Sequence, residues 1–214
     1  GFHLTDSYGI DYGGAIYCNN SSPTITDVQI SDVYSNWGAL YCSNSNPTLT
    51  NVIINNNTAA FGSAMNCNNS SPTLTNVTIA QNYASAGSAV NSSNSSHPIL
   101  LNCILWNPSI GEISLSGGSL TATYSDIQGG WSGTGNIDQG PIFCNHTSFD
   151  LGDVSPCVGT GLGGVDMGAK GVGCIYARAD DQEILTTENS DVDITLTGEM
   201  GDGITLSFQV QSQP

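Results

Sequence analysis

The side chains able to do chemistry are few in this chain, and their spacing limits which reactions are open to it. Proton abstraction beside a carboxylate, the step a uronate lyase performs, needs a positioned base. The only basic residues are Lys170 and Arg178, and both lie beyond the repeats that fill the first hundred residues. Glycoside hydrolysis needs two carboxyl groups roughly 5 to 9.5 Å apart across one bond. The repeat strands carry no recurring acid, and the adjacent pair Asp180-Asp181 sits in a linker. His3, His97 and His146 are scattered and have no repeat-consistent partners. No nucleophile motif, phosphate loop or metal signature is present. The expectation is a protein that is not an enzyme and carries no cofactor.

Seven cysteines remain. Cys18, Cys42 and Cys67 recur at repeat spacing, which puts them in one inward column. Stacked neighbours have parallel Cβ vectors, a poor geometry for a disulfide. One column also cannot supply a tetrahedral metal cage. They read as small buried hydrophobes. Cys144 and Cys157 flank a loop in the irregular later part, and their spacing suits a disulfide. Cys174 either pairs or stays free. A disulfide there fits an extracytoplasmic location.

Charge excludes other functions. The formal net charge is −16, which argues against nucleic acid, anionic membrane surfaces and polyanionic glycans. No apolar run approaches the ~18 residues of a membrane span, so no membrane insertion is expected. Abundant Gly, Asn, Ser and Thr, with Lys and Arg nearly absent, suit β-structure with many turns. Residue 1 falls inside a repeat, as expected of a processed or excised piece.

The positioning elements come from a block of about 25 residues that recurs from Gly14, Gly38 and Ser63, with a worn copy from Ser88. Such a unit cannot bury its own apolar face and must stack on its neighbours. Within a copy, period-two alternation gives three short strands, such as Ala15–Cys18, Thr24–Thr26 and Val28–Ile30. Stacking the copies aligns Ile16, Leu40, Met65 and Val90. It also aligns Cys18, Cys42, Cys67 and Ser92, then Ile25, Leu49, Leu74 and Leu100, then Val28, Val52, Val77 and Cys103. A fifth column is Ile30, Ile54, Ile79 and Leu105. These five columns are the expected core. Asp27, Asn51, Asn76 and Asn102 align at a corner as an expected asparagine ladder, bonded rung to rung.

Outward positions are expected to hold Ala15, Ala39, Ala64 and Ala89, and Tyr17, Tyr41, Asn66 and Asn91. A flat T-x-T array, Thr24-x-Thr26, Thr48-x-Thr50 and Thr73-x-Thr75, is interrupted by Ile99-x-Leu101. Trp37, Phe61 and Tyr83 recur just before the small residue that opens each copy. Stacking on sugar is one reading of them, and packing of the return loop is the other.

The runs GGAIYC…SSPTITDVQI and YSDIQGGWSGTGNIDQGPIFCN…DVSPCVGTG…DMGAKGVGC resemble the right-handed parallel β-helix repeat proteins of microbial surfaces and secretions. The resemblance implies an all-β, right-handed parallel β-helix over 1–174. It does not imply an activity, because the same coil serves lyases, hydrolases, adhesins and stalks. Residues 175–214 form an acidic linker and β-strand tail, with strand patterns at Glu183–Thr187, Val192–Thr197 and Ile204–Gln211. That tail resembles the opening strands of a cadherin-like or immunoglobulin-like tandem domain, which needs about 100 residues when whole. Asp180, Asp181 and Asp202 offer the hard oxygens calcium takes; a solvated acidic linker is the simpler account. Nine N-x-S/T triplets, among them those at Asn20, Asn56, Asn69, Asn76 and Asn145, follow from Asn- and Ser-rich corners.

The function expected is that of an extracellular or cell-surface structural or adhesive rod. Self-association is expected, as a homo-oligomer or a filament stacked head to tail with the tail docked on a neighbour. A glycan is the candidate partner. The alternatives are a polysaccharide-binding or polysaccharide-cleaving module, and ice binding through the T-x-T array.

Overall fold

The structure is a computed structural model, and it describes residues 1–9, 12–108 and 111–176, together with the backbone of two short strands at 178–179 and 198–199. It is an all-β solenoid of about seven turns, with parallel sheets and equivalent residues about 25 apart. Each coil contributes one strand to each of three faces. Face one stacks Ile16–Asn19, Leu40–Ser43, Met65–Asn68, Ser88–Ser93 and Gly111–Ser116. Face two stacks Thr24–Thr26, Thr48–Thr50, Thr73–Thr75, Ile99–Leu101 and Thr121–Thr123. Face three stacks Phe2–Thr5, Val28–Ser31, Ile53–Asn55, Thr78–Ala80, Ile104–Trp106 and Asp126–Ile127. Two-residue strands at Tyr8–Gly9, Tyr34–Ser35, Thr58–Ala59 and Tyr83–Ala84 make a narrow fourth edge.

The Asn-rich corners have a conformational cause. The residue between faces one and two is left-handed in every full coil, with φ of 49°, 49°, 50° and 49° at Asn20, Asn44, Asn69 and Asn94. The next corner repeats the device at Asp27, Asn51, Asn76 and Asn102, and Asp32, Asn56 and Gln81 close face three in the same way. Asn and Asp tolerate this region better than other residues with a Cβ. At Gly38 (φ +97°) a Cβ would stand 2.3 Å from the carbonyl oxygen of Gly62, so only glycine lets the coils close there.

The register matches the five columns read from the sequence. Ile16, Leu40, Met65 and Val90 pair in series, as do Cys18, Cys42, Cys67 and Ser92. The series Ile25, Leu49, Leu74, Leu100 and the series Ile30, Ile54, Ile79, Leu105 do likewise. These columns form one buried cluster. The alanine column differs from expectation: Ala39, Ala64 and Ala89 are fully buried core members. Ala39 and Ala64 stand just before the face-one strands Leu40–Ser43 and Met65–Asn68, and Ala89 is the second residue of Ser88–Ser93, so the in–out alternation read from the sequence does not extend back over this column.

Beyond the last full coil the chain folds back as a strap over the outer side of face three. Phe149 packs on Ile53 and Ala80, and Leu151, Cys157 and Met167 pack on Ile104. Gln29 Nε2 donates to the Thr147 carbonyl (3.2 Å), Ala169 N to Thr78 Oγ1 (2.9 Å) and Gly168 N to the Asn102 carbonyl (2.8 Å). Gly168 (φ +90°) lies where a Cβ would meet Ile104 Cδ1 at 2.7 Å, so the strap approaches through bare backbone. The strap is closed by a disulfide between Cys144 and Cys174, with Cα atoms 5.9 Å apart. This corrects the expected Cys144–Cys157 pair. Cys157 is fully buried against Ile104 and Met167, and its thiol donates to Asp126 Oδ2 at 3.2 Å.

Residues 180–197 and 200–214 lie outside the described residues, and with them Asp180, Asp181, Asp202 and all three expected tail strands. Among the described residues of the tail, Arg178–Ala179 pairs antiparallel with Gly198–Glu199.

Candidate binding surface

Three arrangements of polar and aromatic groups stand out on this scaffold. The first is internal. Asn57, Asn82 and Asn107 are fully buried where face three meets the narrow edge. Asn57 Nδ2 donates to Asn82 Oδ1 (2.9 Å), and Asn82 Nδ2 to Asn107 Oδ1 (3.0 Å). Each Oδ1 also accepts a backbone N–H from the preceding rung: Val33 N to Asn57, Asn57 N to Asn82, and Asn82 N to Asn107. The last rung needs an end that only accepts. Glu112 supplies it, with Oε1 taking Asn107 N and Oε2 taking Asn107 Nδ2, each at 2.7 Å. Burial pushes the Glu112 carboxyl up to about 7, against the lowering effect of those two bonds.

The expected ladder is weaker. Asn51 Nδ2 donates to Asp27 Oδ1 at 3.2 Å and Asn76 Nδ2 to Asn51 Oδ1 at 3.4 Å. Asn102 does not join it: Asn76 Oδ1 has no partner, and Asn102 Oδ1 accepts Leu162 N of the strap at 2.8 Å. Both series recur at repeat spacing, so the sequence showed two candidate ladders. Only burial separates the strong one from the weak one.

Among the described residues the titratable groups do not assemble a reaction centre. His3 Nε2 lies 2.8 Å from Ser31 Oγ, but that hydroxyl donates to Asp32 Oδ2 at 2.6 Å. The proton therefore points toward the acid and away from the imidazole, the reverse of an activated nucleophile. His97 Nδ1 meets Ser119 Oγ at 2.7 Å, with no carboxylate orienting the ring among the described residues. His146 meets Gln81 Nε2 at 3.4 Å and stands edge-on to Phe149. Lys170, His3, Asp27 and Gln29 line a cavity of about 440 Å³ beside the first strand of face three. Asp126, on the outer side of face three, is buried under the strap, which pushes its carboxyl up to about 6. Two of the column thiols are held protonated: the hydrogen bond to Cys42 and burial raise Cys18, and burial pushes Cys103 up to about 12. A reactive cysteine needs the opposite shift.

The second arrangement is the T-x-T array. It is longer than expected, since Thr121 and Thr123 pair with Ile99 and Leu101 and restore the motif in the fifth rung. Ile99 is exposed in the middle of it, so the hydroxyl lattice is broken.

The third is aromatic. Tyr12, Tyr17, Tyr41, Trp37 and Phe61 form a continuous strip over the first rungs of face one. Tyr12 stacks on Tyr17 (centroids 5.5 Å apart, 16°) and tilts against Tyr41 (5.3 Å). Trp37 stands 6.4 Å from Tyr41 and stacks on Phe61 (5.2 Å, 24°). Tyr41 is 6% exposed and forms the floor, whereas Tyr12, Tyr17, Trp37 and Phe61 are 54%, 47%, 37% and 39% exposed. The stack follows from coil register: Phe61 N bonds the Asn36 carbonyl, which sets Phe61 beside Trp37. Tyr83, grouped with these two in the sequence, lies on the narrow edge instead, paired with Thr58. Tyr12 and Tyr17 are members that the repeat comparison did not connect with Trp37 and Phe61. The contact arises between adjacent coils, and no fixed sequence spacing encodes it.

No family model, no curated protein and no solved structure matches this chain.

Proposed function

We propose that this solenoid is an extracellular, non-catalytic structural and adhesive module. The observation that carries the reading is the strap. A polymer-cleaving solenoid needs an open outer face with paired acids or an acid and a base. Face three bears a buried acid on its outer side, and Phe149, Leu151, Met167 and Cys157 cover it. Face one presents aromatic and amide groups outward, and face two presents Thr, Ile and Leu. The Cys144–Cys174 bond supports an oxidising compartment. The resemblance to surface β-helix proteins, and of the tail to a tandem sandwich domain, belongs to the same proposal. Head-to-tail self-association does too, and is read by sedimentation velocity over a concentration series.

The test is incubation with polygalacturonate, alginate and neutral glycans, with and without calcium. The expected result is no rise in unsaturated-uronate absorbance and no new reducing ends. Product in either assay, abolished by removing the protein, overturns the non-catalytic reading. A polysaccharide-binding role without cleavage is the second reading, favoured by the aromatic strip.

A further inference from the structure

The outer side of face one carries four partly exposed rings on a tyrosine floor, a grouping that strand propensity alone does not require. Exposed aromatic rings on a rigid framework mark contact surfaces. The register shows where the strip ends. Ser85 N and Ala86 N bond the carbonyls of Ala59 and Ala60, which sets Ala86 beside Phe61 in the next coil. The column therefore runs Trp37, Phe61, Ala86, and no ring continues the stack past Phe61. A Cβ at Gly87 would stand 3.3 Å from Phe61 Cα, so this step is set by backbone proximity.

A second observation lies in the same place. Ser63 Oγ and Asn66 Nδ2 are both buried and have no hydrogen-bond partner. Ser63 is 0% and Asn66 2% exposed. Both belong to the coil that bears Phe61, and Asn66 pairs with Tyr41 of the strip floor. Buried polar groups are nearly always bonded; Asn76 Oδ1, at another corner of this coil, and Gln128 Oε1 are also unpaired, and of the four only Ser63 and Asn66 belong to the face-one side. The other polar groups around the strip are neutral. Asn91 Nδ2 donates to Asn66 Oδ1 at 3.2 Å, Asn68 Nδ2 to Tyr41 Oη at 3.2 Å, and Asn94 Nδ2 to Asn68 Oδ1 at 2.9 Å.

We infer that the strip formed by Tyr12, Tyr17, Trp37 and Phe61 is a binding platform for a neutral polysaccharide, with the half-buried amide of Asn91, held by its bond to Asn66 Oδ1, presented to its hydroxyls. A pyranose ring has an apolar face of C–H bonds and a rim of hydroxyls that donate and accept. The rings supply apolar stacking surface, and the amide supplies a matching neutral donor and acceptor. Charge selects among glycans. A chain at −16 repels polyuronates and sulfated polymers, and the strip itself holds no cation to offset that. The uncovered end at Ala86, small and exposed, leaves room for the polymer to run on past Phe61 along the rod. This ligand assignment rests on the adhesive reading above, and it names the partner of that surface.

The experiment is native affinity electrophoresis of the full chain through gels holding mixed-linkage β-glucan, galactomannan or dextran, with polygalacturonate as the charged probe. At least one neutral polymer retards the protein and polygalacturonate does not. Trp37→Ala and Phe61→Ala each weaken that retardation at least tenfold, while Tyr83→Ala, on the narrow edge, leaves it unchanged. Far-UV circular dichroism and thermal midpoints show that the variants keep the fold. If Trp37→Ala or Phe61→Ala fails to fold, Trp37→Tyr and Phe61→Tyr keep a ring in place, and they bind within threefold of the parent. No retardation by any neutral polymer overturns the inference and leaves the structural reading standing. Undiminished binding by folded Trp37→Ala and Phe61→Ala overturns the assignment to this strip. Cleavage of a retarded polymer overturns the non-catalytic reading while the binding platform stands.

Discussion

Replacing Asn82 by alanine probes the buried ladder at its centre. The side chain accepts from Asn57 N (3.1 Å) and Asn57 Nδ2 (2.9 Å). It donates to the Ile54 carbonyl (2.8 Å), the Ala80 carbonyl (3.1 Å) and Asn107 Oδ1 (3.0 Å). Truncation strips two buried donors on Asn57 of their acceptor, and each orphan costs about 1–3 kcal/mol. The space left behind adds a cavity term, and water entering it recovers part of the loss. The net expectation is about 4 kcal/mol, a large share of the ~5–15 kcal/mol by which a domain is stable. Asn51→Gly is the matched control. It deletes the longer bonds of the exposed ladder, and glycine accepts the φ of 52° without strain. Its expected cost is about 1 kcal/mol or less. Urea unfolding followed by far-UV circular dichroism, with the disulfide intact, measures both. Equal losses at the two sites would refute the reasoning, because the difference rests entirely on burial.

Stability should rise on mild acidification. The Glu112 carboxyl sits at about 7 in the fold against an ordinary 4.5, and Asp126 at about 6 against 3.8. The folded state therefore binds protons more tightly, and that contribution is full below the ordinary values and is lost as pH rises through 6 to 7. For Glu112 the interval corresponds to at most roughly 3 kcal/mol. Thermal midpoints should fall from pH 5 to pH 8, less steeply in Glu112→Gln; midpoints that climb over this range contradict the assignment. Leu49→Asp should unfold the coil by burying an unpaired charge, whereas Thr48→Asp, one residue away and exposed, should be mild. Equal damage would mean the inward register is off by one. Peptide mapping without reductant should recover Cys144 linked to Cys174 and Cys157 as a free thiol. Loss of that bond, which closes a separation of 30 residues, should cost about 3 kcal/mol, and a Cys144–Cys157 peptide would contradict the fold of the strap.

The solenoid was legible in the sequence because its determinants are periodic and local. Alternation within strands, Asn at left-handed corners and apolar identity at a fixed repeat distance each specify one coil. Stacking identical coils then forces the columns of Ile30, Ile54 and Ile79 or Leu49 and Leu74 into register. What the sequence left open depends on contacts between segments without a shared period. The strap is irregular, so nothing in the spacing of Cys144, Cys157 and Cys174 says which two meet. The packing of Cys157 under face three decides it. The two asparagine series look alike as letters. The one at Asn57, Asn82 and Asn107 is strong because it is sealed from water and ended by a carboxylate, while the one at Asp27, Asn51 and Asn76 faces solvent. The aromatic strip was visible only in pieces, since Trp37 and Phe61 share a repeat position but Tyr12, Tyr17 and Tyr41 reach them from neighbouring coils. Sequence alone determined the coil and its inward face, through local periodicity; the tertiary structure decided which surfaces stay open, through the long-range packing that covers face three and leaves the rings of face one exposed.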